Sequence, residues 1–375
     1  MFSVALKMLL GDRGKYLSLV MGLAFAVLLI TQQGSIFLGL MLRATGPLQN
    51  ISQADLWVTD PHVKWVSETR NLSDADLNRV RSVPGVAWAE PFFNIRAVAE
   101  LPGGNFRSVN IVGISRSTMV GRPPEMLEGR LEDLRIADAV IVEDSARGKL
   151  EDPQIGTVLK LNDRRAVVVG FARAKAGFDS PAIVFTTYPN AVNFVPLGRN
   201  KLSYVLVGVK DGVDRREVQA RINRVPGLAA LTPDEMRWRT VRFIMAETGI
   251  GINFGITVLL GFIVGLVVSA AIFYQFTVDN LRNFAVLKAM GARRATLIGM
   301  ILLQAVVVGV VGFGIGVGGA GLFSLAGRKP GAELAVYFPW QLMFVALFAM
   351  VACVSLGSLL SLSRVLRLEP AVVFK

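Results

Sequence analysis

Four long runs of uncharged, mostly apolar residues divide the chain, at 16–42, 248–278, 296–326 and 338–363. Each exceeds the ~20 residues a helix needs to cross a ~30 Å hydrocarbon core. The first, at about 1.5 Å per residue, reaches roughly 40 Å and is expected to project beyond the bilayer. Charge touches these runs only at their edges, as Glu247, Arg294, Arg328 and Arg364, so they carry no intramembrane ion relay of the kind that marks pumps. Gly251, Gly255, Gly261 and Gly265 in the second run, with Gly312 and Gly316 in the third, have the small-residue spacing through which membrane helices approach closely or dimerise. Ahead of the first run, residues 1–15 put Phe2, Leu6, Leu9 and Leu10 near one helical face and Lys7, Arg13 and Lys15 towards water, the pattern of an interfacial helix.

Between the first two runs the texture is soluble. Alternating, β-branched or aromatic stretches predict strands at 55–59, 86–101, 108–114, 139–142, 157–161, 166–171, 182–186 and 204–209. Asn162-Asp163 supplies a hairpin turn. Helices are expected to open at Ser73, with Asp76 three residues on as its capping partner, and at Asp214. Both helices run into Val-Pro-Gly and then a new apolar stretch, as in SDADLNRVRSVPGV and DRREVQARINRVPGL, which suggests two copies of one α/β unit. From 234 the charged helix DEMRWRTVRFIMAE is expected to continue without a breaker through 278, as a stalk fused to the second span. After it, residues 274–296, YQFTVDNLRNFAVLKAMGARRAT, alternate apolar and basic positions as a two-faced helix.

Composition and charge narrow the function. At 375 residues and 53% hydrophobic, with mean hydropathy +0.51, the chain is a membrane protein. Its net charge of +12 would suit nucleic acid if it were spread over a soluble domain. Instead residues 1–15, 279–296 and 364–375 hold 10 Lys/Arg against 3 Asp/Glu, and 43–248 holds 28 against 24. That excess beside the membrane places the basic segments and both termini in the cytoplasm, against a minor violation by Arg328 and Lys329, and excludes a nucleic-acid partner. Cys353 has no second cysteine to pair with, and His62 is the single histidine, so neither a zinc site nor a serine triad can be assembled. The glycine run 309–321 imitates a dinucleotide fingerprint but lies inside a span. No G-x-x-x-x-G-K-[ST] occurs, so this sequence cannot cradle ATP phosphates by that route.

The letters of LKAMGARRATLIGMILLQ resemble the signature of FtsX-like and MacB-type ABC transporter permeases, in the variant closest to the DevC branch, with Asn283 and Phe284 where the family usually carries an acid. The tail RVLRLEPAVVFK is similar to the family ending, with Arg364, Pro370, Phe374 and Lys375 in matching places. GRLEDLRIADAVIVEDSARGKL followed by PQIGTVLKLNDRRAVVVGFA resembles its external domain, a porter-type α/β lobe with a mostly β lobe inserted. The resemblance implies an α-helical membrane protein with four transmembrane helices and an extracytoplasmic α+β domain of the MacB periplasmic-core type between spans one and two. The expected order is interfacial helix 1–15, span 16–42, external domain 43–233, stalk and span 234–278, coupling helix 279–295, spans 296–326 and 338–363, and cytoplasmic tail 364–375. It further implies a homodimer in the inner membrane with two copies of a separate ATPase that holds ATP and Mg, no cofactor in this chain, and a periplasmic adaptor and outer-membrane channel. Leu281, Arg282, Phe284, Leu287, Lys288, Met290 and Gly291 are the residues expected to receive the ATPase's motion, with Gly291 ending the helix left-handed and Leu287→Asp uncoupling it without unfolding. The spans would then act as levers that drive export. An FtsX-like signalling subunit that activates a cell-wall hydrolase, a lipoprotein-release permease and a haem exporter are the alternatives.

Overall fold

The computed structural model describes residues 2–68, 70–179, 181–195, 201–327 and 334–366, with the side chains of Phe2 and of 359–366 left aside. Pro370, Phe374, Lys375, Arg328 and Lys329 lie outside the described residues, as does the side chain of Arg364. The described residues form two compact units, one of residues 2–39, 250–327 and 334–366, the other of residues 40–249.

The second unit is built on one ten-stranded sheet. Strand β1 (Leu56–Thr59), helix α4 (Asp74–Arg81) and the first half of β2 (Val86–Glu100) make one β-α-β unit, and β9 (Tyr204–Val209), α6 (Arg215–Ile222) and β10 (Ala229–Leu231) make a second. They interleave in the order β10-β1-β9-β2 with antiparallel neighbours, the split β-α-β arrangement. These are the two copies suspected from the Val-Pro-Gly repeats. Ser73 and Asp76 form the expected reciprocal cap on α4, and the Asp214 carboxylate accepts from the Arg216 N–H on α6. After each helix the repeat glycine turns left-handed, Gly85 at φ +96° and Gly227 at φ +80°.

The inserted lobe hangs on the second half of β2, which pairs with β3 (Phe106–Ile114) from Phe93 to Glu100. Beyond β3 follow β8 (Ala182–Thr187), β5 (Ala139–Glu143), β7 (Arg164–Arg173) and β4 (Glu125–Glu128), while β6 (Val158–Leu161) bridges β2 and β7. Asn162 and Asp163 sit at φ +46° and +64° between β6 and β7, as a type I′ hairpin requires. Helix α5 (Tyr188–Phe194) covers β3 through Ala191 and Phe194. Trp57, fully buried between Phe92 and Tyr204 at ring-centroid distances of 5.7 and 5.2 Å, anchors the core on the opposite face. Truncating a buried aromatic of that size costs about 3–5 kcal/mol.

The first unit holds α1 (Phe2–Gly11), α2 (Arg13–Ala44, whose last turn passes into the second unit and is followed there by α3, Gly46–Gln49), α8 (Ile250–Asp279), α9 (Leu281–Ala289), α10 (Arg294–Ala326) and α11 (Trp340–Leu366). Helices α2, α8, α10 and α11 are long and apolar enough to cross a membrane. One expectation fails here. The charged helix α7 (Pro233–Glu247), opened by a Thr232–Glu235 capping box, does not run into α8 as a single rod: the helix breaks at Thr248–Gly249, with Gly249 at φ +73°. A left-handed residue cannot continue a right-handed helix, and glycine is the one residue that adopts it without penalty.

Candidate coupling site

The segment between the second and third apolar helices is shaped by two turns. At its start the Asn280 N–H and side-chain amide both donate to the Phe276 carbonyl, at 3.1 and 2.9 Å, while the Asn280 carbonyl accepts the Phe284 N–H at 3.1 Å. Asn280 therefore closes α8 and opens α9. At its end Gly291 lies at φ +90°, the Gly291 N–H donates to the Lys288 carbonyl (3.1 Å) and the Ala292 N–H to that of Leu287 (3.0 Å). This is a Schellman motif, and Ala292 packs beside Leu287 as its hydrophobic contact. Arg293 then restarts the chain as the N-terminal flank of α10.

The helix so delimited has two faces, and the apolar Val286 and Met290 are not on the buried one. Phe284 and Leu287 are buried against Ala5 and Met8 of α1 and Leu297, Met300 and Ile301 of α10, and Ala285 is fully buried as well. Arg282, Asn283, Val286, Ala289, Met290 and Gly291 face out, Met290 with 70% of its surface exposed. Leu281 and Lys288 lie at the border. So among the expected coupling residues Phe284 and Leu287 hold the helix down, and Arg282, Met290 and Gly291 are the ones a partner can touch. Val286 and Ala289 join that outer face and were missed in the sequence, where a small apolar residue in an apolar stripe carries no sign of which way it points. Leu287→Asp, expected to leave the fold intact, would put a charge into a packed cluster.

The α1 helix is the floor of this cradle. Gln304, buried in α10, donates to the Ala5 carbonyl at 2.8 Å. At the start of α2, Lys15 is paired with both Asp12 (2.9 Å) and Asp279, the last residue of α8. Hydrogen bonds from Lys15 hold the Asp12 carboxyl below the ordinary carboxylate range. Asp279 is the one acid in 274–296, and Lys15 takes it. Arg282, Arg293 and Arg294 make no ion pair among the described residues. Two of these arginines sit at the N-terminal end of α10, where the helix dipole disfavours cations by about 0.3–1 kcal/mol each.

The glycines sort by geometry too. A Cβ on Gly265 would overlap that of Ala26, one on Gly312 would meet Leu23 Cβ at 3.2 Å, and one on Gly316 would meet the Ala24 carbonyl at 2.6 Å. Gly261 makes ordinary contact with Leu29, Gly255 has open space around it, and Gly251 lies half-buried in the first turn of α8. Four of the six thus pack α2 within one chain. The described residues contain no cluster of His, Cys, Asp or Glu able to hold a metal.

Comparison with known proteins places this architecture. Residues 17–225 match the MacB-like periplasmic core domain and residues 255–370 the FtsX-like permease C-terminal domain. The macrolide export ATP-binding/permease protein MacB of Hahella chejuensis is 26% identical over 236 residues, covering 58% of this chain and 36% of that protein. The Escherichia coli K12 protein of the same name is 24% identical over 302 residues, covering 75% of this chain and 46% of that one. The aligned stretch is therefore less than half the length of these relatives. The periplasmic region of MacB from Actinobacillus actinomycetemcomitans superposes with a TM-score of 0.39 at 15% identity, over 51% of this chain and 96% of that one. With two domain matches that between them run from the first apolar helix into the tail, the chain belongs to the FtsX-like ABC permeases that carry a MacB-like periplasmic core domain.

Proposed function

We propose that this chain is the membrane subunit of an ABC exporter, working as a homodimer that transmits the nucleotide-driven motion of two ATPase subunits to its external domain. The observation that carries the reading is α9: a short helix clamped by α1 and α10 on one face, with Arg282, Val286 and Met290 exposed on the other and, at the next helix start, Arg293 and Arg294 exposed and without an ion pair among the described residues. A surface that is rigidly backed, basic and apolar suits a partner with acidic and apolar groups. In this reading ATP and Mg are held by that partner. The spans act as levers, because the charged residues buried among the described ones, Glu90 and Glu143, both lie in the external domain and none lines the bundle. A periplasmic adaptor and an outer-membrane channel complete the export route.

The test uses the full chain reconstituted with its ATPase. A cysteine at Gly103 should label from outside the cell and one at Ala292 only after permeabilisation; the reverse pattern ends the reading. A Gly-Ser insertion at Thr248–Gly249, where no helix is interrupted, should abolish export while ATP still binds. Its loop-closure cost is small, so full export in that variant sinks the lever. Activation of an external hydrolase without export would assign the chain to signalling instead.

A further inference from the structure

The external domain contains a polar cavity of about 250 Å³ whose floor is the sheet itself. Along β2, Phe92 belongs to the hydrophobic core, and the next residues on the same face are Asn94 and Arg96. Across the strand pair, Asn94 is opposite the core residue Val112 and Arg96 is opposite Asn110. A core that continues through Ile183 and Phe185 on β8 thus gives way to two carboxamides and a guanidinium. Burying polar groups at core-facing positions is costly unless they are hydrogen-bonded, and Asn94 is only 6% exposed, with its Oδ1 accepting from Asn110.

Two loop stretches wall the cavity. One carries Trp65 and Ser67, the other Gly177, Asp179 and Pro181. Arg96 is ion-paired with Asp179, and Trp65 meets Phe178 edge-on at 6.0 Å, so the two walls are tied to each other and to the floor. The first wall is also held from behind. The Val66 N–H donates to the Thr240 hydroxyl of α7 at 3.1 Å, the Val66 carbonyl accepts from the Tyr204 hydroxyl at 2.7 Å, and Trp65 stacks on Phe243 of α7 with centroids 6.1 Å apart and planes at 19°. The cavity is therefore pre-formed, as ligand sites usually are.

Its chemistry points to one class of occupant. The Arg96–Asp179 pair leaves no net charge. Asn110 donates its amide to Asn94 Oδ1 at 2.9 Å, which leaves the Asn94 amide as donor and the Asn110 oxygen as acceptor side by side, the complement of a hydroxyl or a neutral amide that both gives and takes a hydrogen bond. Trp65 adds an apolar wall for C–H groups. We infer that this cavity binds a neutral, hydroxyl-rich solute of monosaccharide size, a hexose or its N-acetylated amino-sugar form, and that its occupancy stiffens α7 through Trp65 and Val66. The inference does not depend on the permease reading.

The test is titration of the full chain, in detergent micelles, with N-acetylglucosamine and with glucose, using glycine and acetate as the zwitterionic and anionic contrasts. Calorimetry should give saturable millimolar binding of the sugars, tryptophan emission should shift with it, and the shift should vanish in Trp65→Phe. Asn110→Leu, which removes the acceptor, and Arg96→Gln at the exposed rim, which does not threaten the core, should each weaken binding by about tenfold or more. Amide exchange in α7 should slow on saturation. Absence of saturable sugar binding by the folded chain, binding unchanged in both variants, or preference for glycine or acetate would each overturn the assignment.

Discussion

Gln304 donates its side-chain amide to the carbonyl of Ala5 across 2.8 Å, linking two residues 299 apart in the chain. The bond fastens α1 beneath α9, because Ala5 also packs on Phe284 and Leu287. An interhelical polar bond inside a membrane protein is worth about 0.6–2 kcal/mol. Gln304→Leu keeps most of the volume and removes the donor, so α1 should dock more loosely by about that amount. Faster amide exchange in α1 and α9, with the spans unchanged, is the expected result; unaltered exchange would show that packing alone holds α1.

On α9 the two faces should separate by substitution. Val286→Asp and Met290→Asp change exposed positions, so the chain should fold and insert with its thermal midpoint nearly unchanged while stimulation of the partner ATPase falls severalfold. Leu287→Asp buries an unpaired charge beside Met300 and Ile301, and should cost about 3 kcal/mol or more in stability. Equal effects of all three on the thermal midpoint would contradict this division of faces.

Much of this was legible in the letters, and what was not has physical causes. The four apolar runs, eight of the strands, both capped helices and the Asn162-Asp163 turn follow from periodicity and turn chemistry. Strand β4, Glu-Met-Leu-Glu at the edge of the sheet, and the three-residue β10 carry no alternation, since their pairing is imposed by β7 and β1. The break at Gly249 was hidden because glycines also occur within α8 and α10 without breaking them. The inward turn of Leu287 depends on α1, far off in sequence, so no local pattern could report it. Asn94 and Asn110 look like ordinary strand polars until the register puts them side by side.

The glycines give a graded prediction. Gly316→Ala would drive a methyl against the Ala24 carbonyl and Val27, and Gly265→Ala against Ala26. Forced overpacking of this kind costs about 1–3 kcal/mol. Gly255→Ala meets nothing within 4 Å in the chain, and should leave the thermal midpoint of the solubilised monomer unchanged. If Gly255→Ala alters only the oligomeric state, that face of α8 contacts a second copy.

Glu143 ends the central strand β5 with its side chain almost fully buried. Burial pushes its carboxyl above the usual range, opposed by hydrogen bonds from the Ser145 hydroxyl and the Ile183 N–H and by the charge of Lys149. A carboxyl raised in the folded state binds its proton more tightly there than in the unfolded chain. Its contribution to stability is therefore full below the unfolded value and is lost as pH rises through the folded one. Glu143→Gln mimics the protonated form, so the variant's advantage in thermal midpoint should grow from mildly acid to neutral pH. A difference that stays flat across that window would show that Glu143 titrates normally.

Gly249 breaks the path from the charged helix α7 to the apolar helix α8. Its φ of +73° is open to glycine and strained for any other common residue, and a Cβ there would touch nothing. Backbone strain is then the one term that changes, and Gly249→Val is expected to cost about 1–2 kcal/mol if the turn is kept. Rejoining α7 and α8 into one helix relieves that strain and adds backbone hydrogen bonds across Thr248. The variant should therefore gain helical protection at the amides of 248–251 in hydrogen exchange, with α7 itself still anchored through buried Met236, Thr240 and Ile244. If motion reaches the external domain by bending at this point, the straightened variant should bind ATP through its partner and yet export poorly. Unchanged protection at 248–251 together with normal export would show that the break is incidental to the mechanism.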